Sequence, residues 1–185
     1  MEFLTSPLSG IRIIKCPVYY DDRGYFLESF NRKQWEEAGL PYEFVQDNQS
    51  LSNKGVIRGL HFQRKPHAQG KLVRVSSGKA IDVMLDLRSD SPTFGKHFSI
   101  ELDAKSGVMV WIPAGFAHGF EALEDNTVFN YKVTAYYDSK SEAGIRFDDP
   151  ELNINWMTRN PLVSQKDKLL PTLREWLSAS GSDRL

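Results

Sequence analysis

Ile81-Asp82-Val83-Met84-Leu85-Asp86-Leu87-Arg88 decides how this chain reads. Ile81, Val83, Leu85 and Leu87 alternate with Asp82, Met84, Asp86 and Arg88. A period of two marks a β-strand, whose successive side chains point to opposite faces. The pattern recurs further along. Phe98, Ile100 and Leu102 alternate with His97, Ser99 and Glu101, and Phe129, Tyr131 and Val133 with Asn130, Lys132 and Thr134. Lys71–Ser76 and Val108–Ile112 are further strand candidates. Turn residues separate them: Ser77-Gly78, Ser91–Gly95, Lys105-Ser106-Gly107, Pro113-Ala114-Gly115 and Glu124-Asp125-Asn126. Short strands at near-regular spacing without intervening helices predict an all-β sandwich, jelly roll or barrel. Helix is marginal. Asn31, with Gln34 in the capping-box position, predicts a short helix ending at Gly39. Pro171 predicts the start of a last helix carrying Leu173, Trp176 and Leu177 on one side.

Composition narrows the class. With 185 residues, 41% hydrophobic and 25% charged, the chain suits a single globular domain over 1–185. A polar tail from about Ser178 is expected to fray. The net charge of −1 gives no general attraction to nucleic acid or to an anionic membrane, so neither is expected as a partner. An anionic ligand therefore needs a local basic cluster. The single Cys16 rules out an internal disulfide and reads as a buried apolar residue. Met1–Thr5 lacks the basic and apolar parts of a signal peptide. The longest apolar run, Val108–Ala117, is broken by Pro113 and Gly115 and is too short for a bilayer. The expectation is a cytoplasmic, reducing setting.

Several polar residues sit inside strand-like or glycine-rich stretches. Arg58-Gly59-Leu60-His61-Phe62-Gln63 sets a guanidinium and an imidazole three positions apart, which in a regular strand face opposite ways. Gly59 permits a bend or a close ligand approach. Arg23 and Glu28 flank Gly24-Tyr25-Phe26-Leu27, and Gln46-Asp47-Asn48 follow Phe44-Val45. Lys71 follows Gln69-Gly70, and His118 lies in Ile112–Phe120. Tyr131, Tyr137, Glu142, Lys166 and Asp167 complete the set. Nearly all have a plain alternative, which for His61 and Arg58 is a satisfied core histidine beside a structural arginine. Asp167 closes a capping box begun by Ser164. Lys71 reads as a solvated strand-edge lysine, Arg23 as half of a turn salt bridge, and His118 as a buried histidine held by backbone. Tyr131 and Tyr137 read as ordinary strand aromatics, and Glu28, Gln46, Asn48, Glu142 and Lys166 as surface residues. His67 and His97 read as surface residues without a functional role.

Taken in order, these stretches resemble the dTDP-4-dehydrorhamnose 3,5-epimerases, cofactor-independent sugar-nucleotide epimerases of the cupin superfamily. The likeness runs from about Ile11 to about Leu170. It rests on Asp22–Glu28, Gln46–Asn48, Arg58–Gln63, Gln69–Val75, Ser91–Gly95, Ile112–Phe120 and Glu142–Pro150. It implies a double-stranded β-helix (jelly roll), a homodimer, and epimerisation at C3 and C5 of dTDP-4-dehydro-6-deoxy-D-glucose. Leu8–Tyr20 is a candidate for an exchanged strand in such a dimer.

The residues suit that chemistry. A C4 ketone acidifies the hydrogens on C3 and C5, and inversion needs a base, an acid on the opposite face and a partner for the enolate oxygen. His61 is the natural base, since an imidazole titrates near neutrality. The resemblance makes Asp167 its orienting partner, Tyr131 the acid and Lys71 the charge beside the oxyanion. It assigns Arg23, Arg58 and Lys166 to nucleotide or phosphate, and Glu28, Gln46, Asp47 and Asn48 to base or sugar. His118 and Glu142 match ligand-binding positions, and Tyr137 would stack on thymine. No cofactor is required. Metal-binding cupins use a His-x-His pair, which Gln63 breaks two residues after His61, so no metal is expected. The alternatives are a C3-only epimerase of a related dTDP-4-keto-deoxysugar, a non-catalytic nucleotide-sugar binding module, and a metal-dependent cupin oxygenase.

Overall fold

The computed structural model describes residues 1–179. The N-terminal part contains β1 (Glu2–Thr5), β2 (Arg12–Lys15), β3 (Val18–Asp21), β4 (Gly24–Leu27) and α1 (Arg32–Glu37). Then come β5 (Gln46–Ser52), β6 (Val56–Gln63), β7 (Lys71–Ser77), β8 (Lys79–Asp86), β9 (His97–Asp103) and β10 (Val108–Ile112). The chain continues through β11 (Phe116–Ala122), β12 (Thr127–Val133), β13 (Glu142–Gly144), β14 (Leu162–Val163), α2 (Gln165–Lys168) and α3 (Leu173–Ala179). One sheet has the order β1-β2-β10-β7-β12-β5. The other runs β13-β6-β11-β8-β9, with β14 parallel on β6. From β5 to β13 consecutive strands alternate between the two sheets except at the β8–β9 hairpin, and of the sandwich, jelly roll or barrel left open by the strand pattern it is the jelly roll implied by the resemblance that forms. Hairpin β3–β4 joins neither sheet.

The predicted strands are present with small changes of extent. The largest concerns the defining stretch, which leaves the sheet at Asp86 rather than Arg88. Arg88 folds back so that its Nε and a terminal nitrogen donate to Asp86 Oδ1 and Oδ2 at 2.8 and 2.7 Å. Ser91 and Thr93 hydroxyls add to the same carboxylate, so the turn is tied to the strand end. The alternation in β8 does not divide core from water. Val83, Leu85 and Leu87 pack outward under Ile145, Leu152 and Trp176, while Met84 joins the inter-sheet core with Val73, Val110, Phe116 and Phe129. Asp82 and Asp86 share the inner register and are fully buried. A third cluster on the far face of the first sheet sets Trp35 of α1 against Ile14, Cys16, Leu72, Met109 and Trp111. Both sheets are therefore covered on both sides.

Asn31 caps α1 by accepting from the Gln34 N–H. Gln34's side chain does not close the box. It donates to Glu28 Oε1 and accepts from the N-terminal ammonium. The last helix begins at Leu173, two residues after Pro171, because Thr172 and Glu175 form the reciprocal capping box. Ser178 and Ala179 belong to that helix; the rest of the expected tail lies outside the described residues. His67 and His97 are half-buried rather than surface residues, and His97 Nε2 lies 3.0 Å from Leu152 O. Among the described residues no helix is long and apolar enough to cross a membrane.

Candidate active site

The register of β6 on β11 pairs His61 with His118 and Arg58 with Phe120, so three steps along one strand face two along the other. This β-bulge removes the opposite-face geometry of a regular strand. Arg58 and His61 consequently line one cavity. Gly59 holds the bulge at φ 122°, and a Cβ there would lie 2.5 Å from the Gly119 Cα. Only glycine accommodates both the backbone angle and that approach.

The cavity has a volume of about 430 Å³, within the range of small-molecule sites. It gathers Arg58, His61, Lys71, His118, Tyr131, Tyr137, Glu142, Lys166 and Asp167, contributed by both sheets, the β12–β13 loop and α2.

Asp167 arrives on α2. Ser164 Oγ accepts its N–H at 3.0 Å, the cap anticipated from sequence. Its carboxylate instead turns to β6, with Oδ1 2.7 Å from His61 Nε2 and Oδ2 accepting the Gly59 N–H at 3.3 Å. The capping and dyad readings both hold for the one residue. Burial pushes this carboxyl up, but the hydrogen bonds from His61, Gly59 and Ser164 outweigh it and hold the pKa below its usual 3.8. An ionised carboxylate only accepts, so His61 donates Nε2–H, and in the neutral imidazole the lone pair is then on Nδ1. The His61 side chain is 33% exposed, enough to meet a ligand.

Lys71 is no solvated edge lysine: it is 8% exposed, with Nζ donating to His61 O at 3.2 Å. Burial pushes its pKa down to about 8, against the raising effect of Asp82 and Glu142. Tyr131, in register with Asn48 and Val73, has its phenol pushed up by burial, with Arg58 opposing. It stays protonated at neutral pH, as an acid must. His118 is buried, with Nε2 2.6 Å from Asp82 Oδ1. Burial pushes its pKa down, with Asp82 opposing. Asp82 was not singled out from the sequence, although its place in the polar register of β8 was visible.

At the cavity mouth Glu142 Oε2 accepts from Tyr137 OH at 2.8 Å and lies 2.6 Å from Lys166 Nζ. Burial raises the Glu142 pKa, but these two partners outweigh it and lower it. Arg58 is held at the rim by Ser52 Oγ and Leu51 O, both 3.1 Å away.

The remaining expected residues lie outside the cavity lining. Gln46 Oε1 accepts the Tyr137 N–H at 3.1 Å, and Gln46 donates to Asn48 Oδ1 at 2.8 Å, so these two stand behind the mouth. Asp47 faces the other side of β5, exposed and 2.6 Å from Lys132 Nζ, because strand alternation turns it away. Arg23 is 90% exposed on the tip of β3–β4, paired with Asp21 rather than Asp22. Glu28 follows the same hairpin. No group of three or more His, Cys, Asp or Glu among the described residues is placed to hold a metal.

Comparison with known proteins places the chain among sugar-nucleotide epimerases. The dTDP-4-dehydrorhamnose 3,5-epimerase family model matches residues 5–175. A protein of that name from Shigella flexneri is 48% identical over 168 residues, 90% of this chain and 93% of that one. A dTDP-4-dehydrorhamnose 3-epimerase from Streptomyces niveus is 40% identical over 80% of this chain and 72% of its own. The structure of dTDP-6-deoxy-D-glucose-3,5-epimerase from Legionella pneumophila, in complex with dTDP-4-keto-L-rhamnose, superposes with a TM-score of 0.89. It is 42% identical and covers 94% of this chain and 93% of that one. The chain belongs to the dTDP-4-dehydrorhamnose 3,5-epimerase family of isomerases.

Proposed function

We propose that this protein converts dTDP-4-dehydro-6-deoxy-D-glucose to dTDP-4-dehydro-L-rhamnose by proton transfer at C3 and C5, without a cofactor. The observation that carries the proposal is the His61–Asp167 pair beside the buried Lys71, in one cavity with Tyr131. His61 Nδ1 takes the proton from C3 or C5, and the C–H electron pair moves into an enolate with its charge on the C4 oxygen. Lys71 supplies the opposing charge. Tyr131 delivers a proton to the opposite face of the carbon, and solvent returns both side chains to their starting states. Asp167 stabilises the imidazolium formed in between.

Arg58 and Lys166 suit the diphosphate, and the exposed Tyr137 ring suits thymine. His118 and Glu142 contact the ligand from the cavity wall, with Gln46 and Asn48 reaching base or sugar. Asp47 reaches a ligand only through its backbone. Arg23 and Glu28 act on the ligand of a second copy, in a homodimer. Exposed Tyr19, Tyr20 and Phe26 on the same hairpin support that assembly. A cytoplasmic setting fits the single, free, buried Cys16.

The test is incubation with substrate in deuterated water. Deuterium at both C3 and C5 is expected. One deuteron, at C3, would mean the narrower activity named for the Streptomyces niveus relative. Binding of dTDP with no incorporation would leave only a binding module.

A further inference from the structure

Gln63 lies two residues after His61 at the end of β6, is 4% exposed, and has its carboxamide fully engaged. Nε2 donates to His67 O at 2.7 Å and to Tyr136 O at 3.1 Å. Oε1 accepts the Asp138 N–H at 2.7 Å. Both amide hydrogens are spent, so Gln63 has none left to donate to a ligand. Two of its bonds fall on the peptide groups immediately before and after Tyr137. That tyrosine is otherwise held by its backbone N–H on Gln46 and its hydroxyl on Glu142, and the residue is 56% exposed. The neighbouring Gln69 adds a bond to Ala135 O at 2.7 Å. A loop carrying an exposed aromatic is thereby tied to the strand that carries Arg58 and His61.

We infer that Gln63 is a positioning residue for the nucleotide: it brackets Tyr137 and holds its ring in a fixed pose against the base. The inference rests on the proposed function in taking Tyr137 as the stacking residue. An aromatic side chain whose backbone is preset loses less freedom when a base binds, and this shows as affinity. Only an amide of this length supplies two donors and one acceptor in this arrangement. Imidazole, which metal-binding cupins carry at this position, has two nitrogens and cannot make all three bonds. The same substitution that breaks the His-x-His pair therefore builds the clamp.

The test compares wild type, Gln63→Ala, Tyr137→Ala and the double variant in dTDP binding and steady-state epimerisation. Gln63→Ala is expected to weaken dTDP binding and raise KM by about tenfold, with kcat within about twofold. In the Tyr137→Ala background the same change is expected to have no further effect on dTDP affinity. Equal losses in both backgrounds, or a fall in kcat without a change in KM, would overturn the inference. Hydrogen exchange on the wild type needs no variant. The Asp138 amide is expected to be protected, and exchange at the unfolded rate would overturn the clamp. If no substrate is turned over, the proposed function fails, while dTDP binding and amide exchange still decide the role of Gln63.

Discussion

At the scale of single residues, the site works by opposing burial with charge. Asp167 is held below its ordinary pKa in the fold, so its contribution to stability is present above the unfolded value and lost as pH falls through the folded one. Asp167→Asn is expected to lower kcat roughly 10²- to 10⁴-fold, by analogy with base–orienter pairs elsewhere. Its stability deficit in denaturant titrations should be present at pH 7 and shrink below about pH 4. Lys71 runs the other way. Its pKa is pushed down to about 8 from the usual 10.5, so the folded protein gives up that proton before the unfolded chain does. Stability therefore rises with pH between those values. Lys71→Met is expected to be more stable than wild type at pH 7, by an amount on the order of 3 kcal/mol at most. The wild type should close that gap as pH rises above about 8. Activity should show the reverse preference: kcat/KM falls on an alkaline limb near pH 8 in the wild type, since Tyr131 titrates later. The Lys71→Met variant loses roughly 100- to 1,000-fold in kcat.

At the scale of elements, the bulge in β6 and the cap of α2 put the base and its partner together. Gly59→Ala adds a Cβ that would lie 2.8 Å from His118 O and closer still to Gly119 Cα, and it strains a positive φ. A loss of about 3 kcal/mol or more is expected in chemical unfolding, together with loss of activity, because strand backbone cannot yield as a side-chain tip can. Ser164→Ala removes the cap hydrogen bond to the Asp167 N–H and the hydroxyl that helps hold the Asp167 carboxyl pKa down. A loss of about 1 kcal/mol is expected. A reduced kcat would accompany it if the cap also aims the carboxylate at His61; unchanged kcat would restrict Ser164 to stability.

At the scale of the whole molecule, hairpin β3–β4 stands apart from both sheets and exposes Tyr19, Tyr20 and Phe26 beside Arg23. In a homodimer that shares residues between sites, Arg23→Ala and His61→Ala variants are each expected to be nearly inactive alone. Mixed and re-equilibrated, they should recover activity toward about one quarter of wild type, as half the dimers are mixed and each regains one intact site. No recovery, with a monomeric mass in solution, would remove the shared site and leave Arg23 as a turn residue paired with Asp21.

The sequence by itself determined the strand pattern, the class of fold, and the residue types for proton transfer. Those depend on local periodicity and on side-chain chemistry, which are written in the order of residues. It also named candidates for the site, through motifs that resemble a family in order, of which Arg23, Glu28, Gln46, Asp47 and Asn48 fall outside the cavity lining. Only the tertiary structure decided which side of each strand faces the cavity. Asp82 and Asp86 read as the polar face of an alternation, yet both are buried, since each sheet is covered on both sides. Arg58 and His61, opposed in a regular strand, share a cavity because a bulge adds one residue between them. Asp47, which the resemblance grouped with Gln46 and Asn48, falls away from the cavity because strand alternation turns its side chain to the other face. Gln63 read only as a histidine that was missing. Two of its three hydrogen bonds reach Tyr136 and Asp138, far along the chain, and pairings over such distances leave no local pattern to read.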